Sequence, residues 1–205
     1  MNVLLLGATG LVGGECLTLL LQEPSVTGVK VYARSPLSVQ HPKLTVLTAP
    51  LDAIGVHGSF FAADAVLCAL GTTIKKAGSQ PAFRAVDHDA PLAAAVAARS
   101  QGCRHYLLVS ALGADARSSV FYNRVKGETE NAVIALGLPA TTILRPSLLL
   151  GNRKEFRPAE RIGALFTPFI PKKYRPVHAS AVARRMVTAL SRTDSGTRII
   201  ESAEI

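Results

Sequence analysis

The chain begins MNVLLLGATGLVGG. A short apolar run leads directly into a stretch holding four glycines and no charged side chain. An apolar run of this length suits a strand buried on both faces of a parallel sheet. The residues after it have helical length and stop before Pro24. The spacing Gly7-Ala8-Thr9-Gly10-Leu11-Val12-Gly13 therefore sits between a predicted strand and a predicted helix. Gly7 suits a sharp turn, Gly10 lets the backbone approach a pyrophosphate, and Gly13 lets the helix lie against the strand. The helix start then offers free N–H groups to phosphate. Gly7, Ala8, Thr9, Gly10, Leu11, Val12 and Gly13 are accordingly expected to hold a dinucleotide.

The rest of the chain keeps the same rhythm. Strands are expected at residues 29–33, 44–47, 65–70, 106–109, 141–144 and 198–200. Helices are expected at 11–22, 81–101, 118–136 and 179–190, with a weaker helical segment at 52–61. Strands alternating with helices predict an α/β fold: one Rossmann-like domain over residues 1–205, a doubly wound parallel sheet with helices on both faces. Residues 151–178 break the rhythm. They are rich in proline and positive charge and are expected to form a small C-terminal substrate-lobe insertion over the sheet's edge.

Composition narrows the class further. A length of 205 residues is ample for a core, and 48% hydrophobic against 18% charged residues is a globular balance. No apolar run approaches the ~20 residues needed to cross a bilayer. No basic segment precedes the N-terminal apolar run, which is short for a secretory signal. A cytoplasmic location with no membrane association is expected. Cys16, Cys68 and Cys103 lie in or beside apolar segments and read as buried, reduced thiols. The net charge of +9 raises the question of nucleic acid. Its basic residues are spread along the chain, however, and tryptophan is absent, so no nucleic-acid partner is expected. The dense basic stretch at 153–175 points instead to an anionic small molecule or to a solvated face.

The end of the second strand bears on cofactor choice. A carboxylate there would accept from the adenosine ribose of NAD. This chain has Tyr32-Ala33-Arg34-Ser35 and no carboxylate. Arg34 could stack on an adenine and pair with a 2′-phosphate through its planar fork. NADP(H) is expected ahead of NAD(H).

Tyr122 and Lys126 stand at i and i+4 of a predicted helix and share one face. An ammonium one turn away favours the phenolate. A tyrosine placed so can give a proton to a carbonyl receiving hydride, or take one from an alcohol losing it. Lys126 can also hold the nicotinamide ribose. Ser110 ends the fifth predicted strand, on the sheet edge where ligands of such folds bind, and its hydroxyl can hydrogen-bond the reacting oxygen.

These residues carry a resemblance. GATGLVGG, CALGTTIKKAGSQPAFRAVDHDAP at 68–91, YNRVKGETE at 122–130 and LRPSLLLGNRKEFRP at 144–158 resemble the atypical short-chain dehydrogenase/reductases. More narrowly, they resemble the branch containing the human Tat-interacting protein and its fungal and bacterial relatives. The resemblance covers nearly the whole chain. It implies that Leu70, Gly71, Thr72 and Thr73 lie along the cofactor, and that Arg145 and Pro146 shape the end of the sixth strand near the nicotinamide. It also puts Asp87 where many such enzymes carry an asparagine that anchors a relay water, so the relay is in doubt here. His88 is a second candidate relay group.

Three readings compete. The first is an NADP-dependent oxidoreductase, epimerase or isomerase acting on a small substrate, an anionic one if the basic stretch faces it, through Ser110, Tyr122 and Lys126. The second is a cofactor-binding redox sensor or interaction protein that does not turn over, which needs only the glycine loop. The third, a semialdehyde dehydrogenase, needs a nucleophilic cysteine, and Cys68 and Cys103 lie in or beside predicted strands. The helices at 81–101 and 118–136 could pair in a homodimer, as in many relatives of the family it resembles; a monomer is equally compatible.

Overall fold

Val3 and Leu5 of β1 (Asn2–Leu6) are buried on one side of a sheet, and Leu4 and Leu6 on the other. A strand covered on both faces belongs inside a parallel sheet. The computed structural model describes residues 1–151, 171–191 and 194–205. In it, β1 is followed by β2 (Gly28–Ala33), β3 (Leu44–Thr48), β4 (Ala65–Cys68), β5 (His105–Val109) and β6 (Ala140–Arg145). The short strands β7 (Leu149–Leu150) and β8 (Val177–His178) come next, and β9 (Gly196–Glu201) closes the series. The main sheet has the order β3-β2-β1-β4-β5-β6-β9 with every pairing parallel. The pair β7 and β8 forms a separate two-stranded parallel sheet.

The helices are α1 (Leu11–Gln22), α2 (Ile74–Ala77), α3 (Gln80–Arg84), α4 (Ala90–Ser100), α5 (Phe121–Ala135) and α6 (Ala179–Ala189). Cys16, Leu17 and Leu20 of α1 meet Val182, Ala183 and Met186 of α6 over one face of the sheet. Ala94, Ala95 and Ala98 of α4 and Val133 of α5 cover the other. The alanines let α4 come close to the sheet while keeping high helix propensity. The expected single α/β domain with helices on both faces is what forms.

Four boundaries differ from the sequence expectation. The strand expected at 65–70 stops at Cys68, and residues 69–73 run on without regular structure to the start of α2. The segment at 52–61 forms two 3₁₀ turns, Leu51–Ala53 and Gly58–Phe61. The helix expected from residue 118 begins at Phe121. The helix expected at 81–101 is interrupted by a π-helical turn at Ala85–Asp89. Pro91 explains the interruption: it has no N–H for the carbonyl of Asp87 four residues earlier, and its ring would clash there. The freed carbonyl lies 2.9 Å from the Thr129 hydroxyl of α5, which also faces the carbonyl of Val125. Of the insertion expected at 151–178, residues 152–170 lie outside the described residues; its end supplies β8 and the start of α6.

Chain order reverses at β1. It pairs with β2 on one side and β4 on the other, so the carboxyl ends of β1 and β4 flank a crevice.

Candidate functional site

The turn after β1 depends on two glycines. Gly7 has φ +86°, a left-handed conformation that side chains with a Cβ rarely adopt, and a Cβ there would stand 2.5 Å from the carbonyl oxygen of Ala69. A Cβ at Gly13 would overlap the carbonyl of Gly7. Between them, Gly10 donates its N–H to the Gly7 carbonyl at 2.8 Å and caps α1. Among the described residues no side chain caps this helix, and its first turn carries no acidic residue. The orphan N–H groups at its start are therefore open to an anion. A cleft of about 470 Å³ opens at this loop, bordered by Thr9, Gly10 and Leu11 on one side and by Leu150, His178 and Ser180 on the other. The loop fits a dinucleotide phosphate: it has a backbone approach free of side chains, uncapped donors and space. Ala8 and Val12 are buried beneath it, where they support the turn.

The other expected residues gather along the same sheet edge. Arg34 follows β2 directly and is exposed. Gly71 is exposed after β4, and Leu70 and Thr72 are half-buried beside it. Thr73 caps α2 by accepting from the Lys76 N–H at 3.1 Å.

On α5, Tyr122 and Lys126 share a face as their spacing predicts. Tyr122 is half-buried, its ring tilted against Phe83 at 5.6 Å. Lys126 is only 5% exposed. Its ammonium lies 2.8 Å from Oδ1 of Asp87, itself 1% exposed. Burial alone would pull this lysine down; Asp87 and then Tyr122 outweigh it and raise the lysine above its usual value. The other carboxylate oxygen of Asp87 accepts the Thr72 N–H at 2.8 Å. His88 turns its ring to Asp89, with Nδ1 2.7 Å from that carboxylate, rather than to Lys126.

Ser110 directly follows β5 at the sheet edge, as expected, but its hydroxyl donates to Glu130 of α5 in a short hydrogen bond. Arg145 at the end of β6 grips the same carboxylate, with Nη2 2.5 Å and Nε 3.1 Å from its two oxygens. Arg145 also donates through Nη1 to Glu201 at 3.0 Å, its register partner on β9. Its hydrogen bonds to these carboxylates, Glu130 above all, hold the guanidinium above its usual value despite partial burial. Pro146 is buried, and its carbonyl accepts the Leu112 N–H at 2.9 Å, joining the loops after β5 and β6. The site thus divides in two. Tyr122, Lys126 and Asp87 form one cluster with Gly71 and Thr72. Ser110, Glu130, Arg145 and Glu201 form another, in which the serine proton is already given away. The sequence reading did not single out Glu130. The signal was its position eight residues after Tyr122, which continues the stripe through Lys126.

All three cysteines are buried. Burial, then the neighbouring Glu15, pushes the Cys16 thiol up to about 12; burial is also the main cause that pushes Cys103 up to about 11 and raises Cys68. Such thiols are poor nucleophiles at neutral pH, which removes the ground for a semialdehyde dehydrogenase.

Residues 7–193 match a family model described as NAD(P)H-binding. The chain belongs to this NAD(P)H-binding family. It is similar to the mitochondrial protein fmp52 of Emericella nidulans, with 39% identity over 191 residues, 87% of this chain and 78% of that protein. It is also similar to the mitochondrial protein FMP52 of Eremothecium gossypii, with 33% identity over 216 residues, all of this chain and 96% of that protein. Among solved structures, MoeE5 in complex with UDP-glucuronic acid and NAD shares the fold at a TM-score of 0.77 and 17% identity, covering 97% of this chain and 75% of MoeE5. Uronate dehydrogenase from Agrobacterium tumefaciens does so at 0.73 and 15%, with the same coverages.

These relatives correct one expectation. A cytoplasmic location does not stand, because the fungal relatives are named as mitochondrial proteins. The expectation rested on apolar segments, which bear on secretion and membrane crossing and do not separate cytosol from an organelle matrix.

Proposed function

We propose that this protein is an NADP-dependent oxidoreductase of the short-chain dehydrogenase/reductase type, related to the branch of the human Tat-interacting protein, with Tyr122 as its proton donor. The observation that carries the reading is the placement of Tyr122 and Lys126 on one face of α5, beside the loop after β4 and on the same sheet edge as the glycine loop. The start of α1 would hold the pyrophosphate, Arg34 the adenosine 2′-phosphate and Lys126 the nicotinamide ribose. When bound, the reduced dinucleotide supplies a hydride to a carbonyl carbon.

The chain's own residues manage the proton. Tyr122 gives its hydroxyl proton to the carbonyl oxygen and is left as phenolate, which the Lys126 ammonium stabilises. Water then returns the proton. In the reverse direction the phenolate takes the proton of an alcohol. Ser110 donates to Glu130, so its oxygen can only accept while that bond holds. Proton delivery therefore falls to Tyr122.

Tyr122→Phe removes one hydroxyl and keeps the ring against Phe83. It is expected to bind NADPH as the wild type does and to reduce any accepted carbonyl roughly 10²–10⁴-fold more slowly. Lys126→Ala should lose both affinity and rate. A Tyr122→Phe variant as fast as wild type would remove the assignment.

One observation favours a second reading, a cofactor-binding redox sensor without turnover. The charge of Lys126 is matched by Asp87, and the proton of Ser110 by Glu130. Tight NADPH binding with no reactive substrate would put that reading first.

A further inference from the structure

Asp87 occupies an unusual junction. Its backbone lies in the π-helical turn that Pro91 imposes, where the freed carbonyl faces the Thr129 hydroxyl of α5 at 2.9 Å. Its Oδ2 is fixed by the Thr72 N–H of the loop after β4 at 2.8 Å. Its Oδ1 meets the Lys126 ammonium at 2.8 Å. Two elements, the loop after β4 and α5, thus hold one carboxylate, and that carboxylate is 1% exposed. The mouth of this junction is Gly71: a Cβ there would lie 3.6 Å from Asp87 Oδ1 and 4.0 Å from the Lys126 nitrogen, in contact with both and clashing with neither.

A lysine ammonium has three N–H donors and rotates freely on a flexible stem. The ion pair with Asp87, 2.8 Å away, fixes where the nitrogen and its donors lie. A buried cation with no such anchor would either shed its proton or draw its side chain toward water.

We propose that Asp87 is a positioning residue for dinucleotide binding: through their ion pair it anchors the Lys126 ammonium so that its N–H donors are set for the nicotinamide ribose. This rests on the functional reading above, in which Lys126 holds that ribose. Asp87 itself does not touch the ligand. Its effect is confined to the nicotinamide half, because the adenosine half is held by the glycine loop and Arg34.

The test is a pair of binding titrations on the full chain, with NADPH and with adenosine 2′,5′-bisphosphate, which lacks the nicotinamide half. Asp87→Asn is expected to weaken NADPH about tenfold, the scale of one charge-assisted hydrogen bond. It should leave the bisphosphate affinity within about twofold of wild type. Equal losses for both ligands would mean that the substitution disturbs the whole cleft, and would overturn the proposal; so would unchanged NADPH affinity. Asp87→Asn leaves a buried ammonium without its counter-ion and could fail to fold. The double variant Asp87→Asn/Lys126→Met, which buries neither charge of the pair, then decides the matter against Lys126→Met, in which the Thr72 N–H still holds the Asp87 carboxylate. If Asp87 acts through Lys126, the two bind NADPH equally. A further loss in the double variant contradicts it. A wild type that binds neither ligand would instead sink the functional reading on which the inference stands.

Discussion

Arg34 stands exposed at the end of β2, with no hydrogen bond or ion pair to the described residues. An uncommitted guanidinium at the adenosine end of the crevice is suited to a 2′-phosphate. Titration of both dinucleotides is expected to show NADPH binding more tightly than NADH, and Arg34→Ala should narrow the gap by roughly 1.5–3 kcal/mol. Equal wild-type affinities would remove NADP specificity. The glycines allow a sharper separation of roles. A Cβ at Gly10 would lie 3.2 Å from the Gly7 carbonyl oxygen, and the residue's φ of −85° suits any side chain. Gly10→Ala should therefore fold, with only a small loss in melting temperature, and lose at least about tenfold in NADPH affinity because its methyl crowds the phosphate approach. Gly13→Ala would put its methyl into the Gly7 backbone and should fail to give a stable fold. Thermal melts beside titrations check both. A Gly10→Ala variant that binds normally would show that the pyrophosphate lies elsewhere.

Helix α5 carries the residues of the proposed chemistry on one stripe: Tyr122, Lys126 and Glu130 follow at intervals of four. The first two were legible because each residue type has a chemical task at that spacing. Glu130 was not, because a glutamate on a polar helix reads as a solvated surface residue. Only the close approach of β5 and β6 buries it to 2% exposure between Ser110 and Arg145. The break in the helix before α4 was missed for a related reason: Pro91 suits the first turn of a helix, and nothing local shows that a longer helix precedes it. The glycine loop was legible to the residue because its constraint is local backbone geometry. Glu130 joins three elements, and Arg145 keeps Glu201 when it is removed, so Glu130→Ala should cost roughly 1.5–3 kcal/mol, the scale of hydrogen bonds to a charged group. Urea unfolding measures this directly. A loss under about 1 kcal/mol would place the pair among exposed ones. Dinucleotide affinity should change little, since neither Glu130 nor Arg145 belongs to the lysine cluster.

Across the whole molecule, the parallel sheet with helices on both faces was implied by strand–helix alternation, while its order β3-β2-β1-β4-β5-β6-β9 comes from the structure alone. The two halves of the site are joined through that sheet and respond to pH differently from an exposed surface. Lys126 is raised above its usual 10.5 by Asp87. A cation favoured by folding contributes stability that is fully present below its unfolded value and is lost as pH rises through the folded one. The Asp87–Lys126 pair should therefore support the fold undiminished from pH 7 to 9 and fail only in strong alkali. Comparing the melting temperatures of wild type and Asp87→Asn/Lys126→Met across pH 7–11 checks the sign: the difference should change only above about pH 10.5.

The central claim is that the chain moves a hydride with Tyr122 supplying the proton. The most direct measurement follows deuterium from NADPH labelled at the transferable position of the nicotinamide, offered with aldehydes, ketones, quinones and sugar nucleotides. Product mass spectra should show deuterium on the former carbonyl carbon, with the rate in Tyr122→Phe lower by roughly 10²–10⁴-fold at unchanged NADPH affinity. Tight binding of NADPH with no label in any product, or equal transfer by Tyr122→Phe, would contradict the claim.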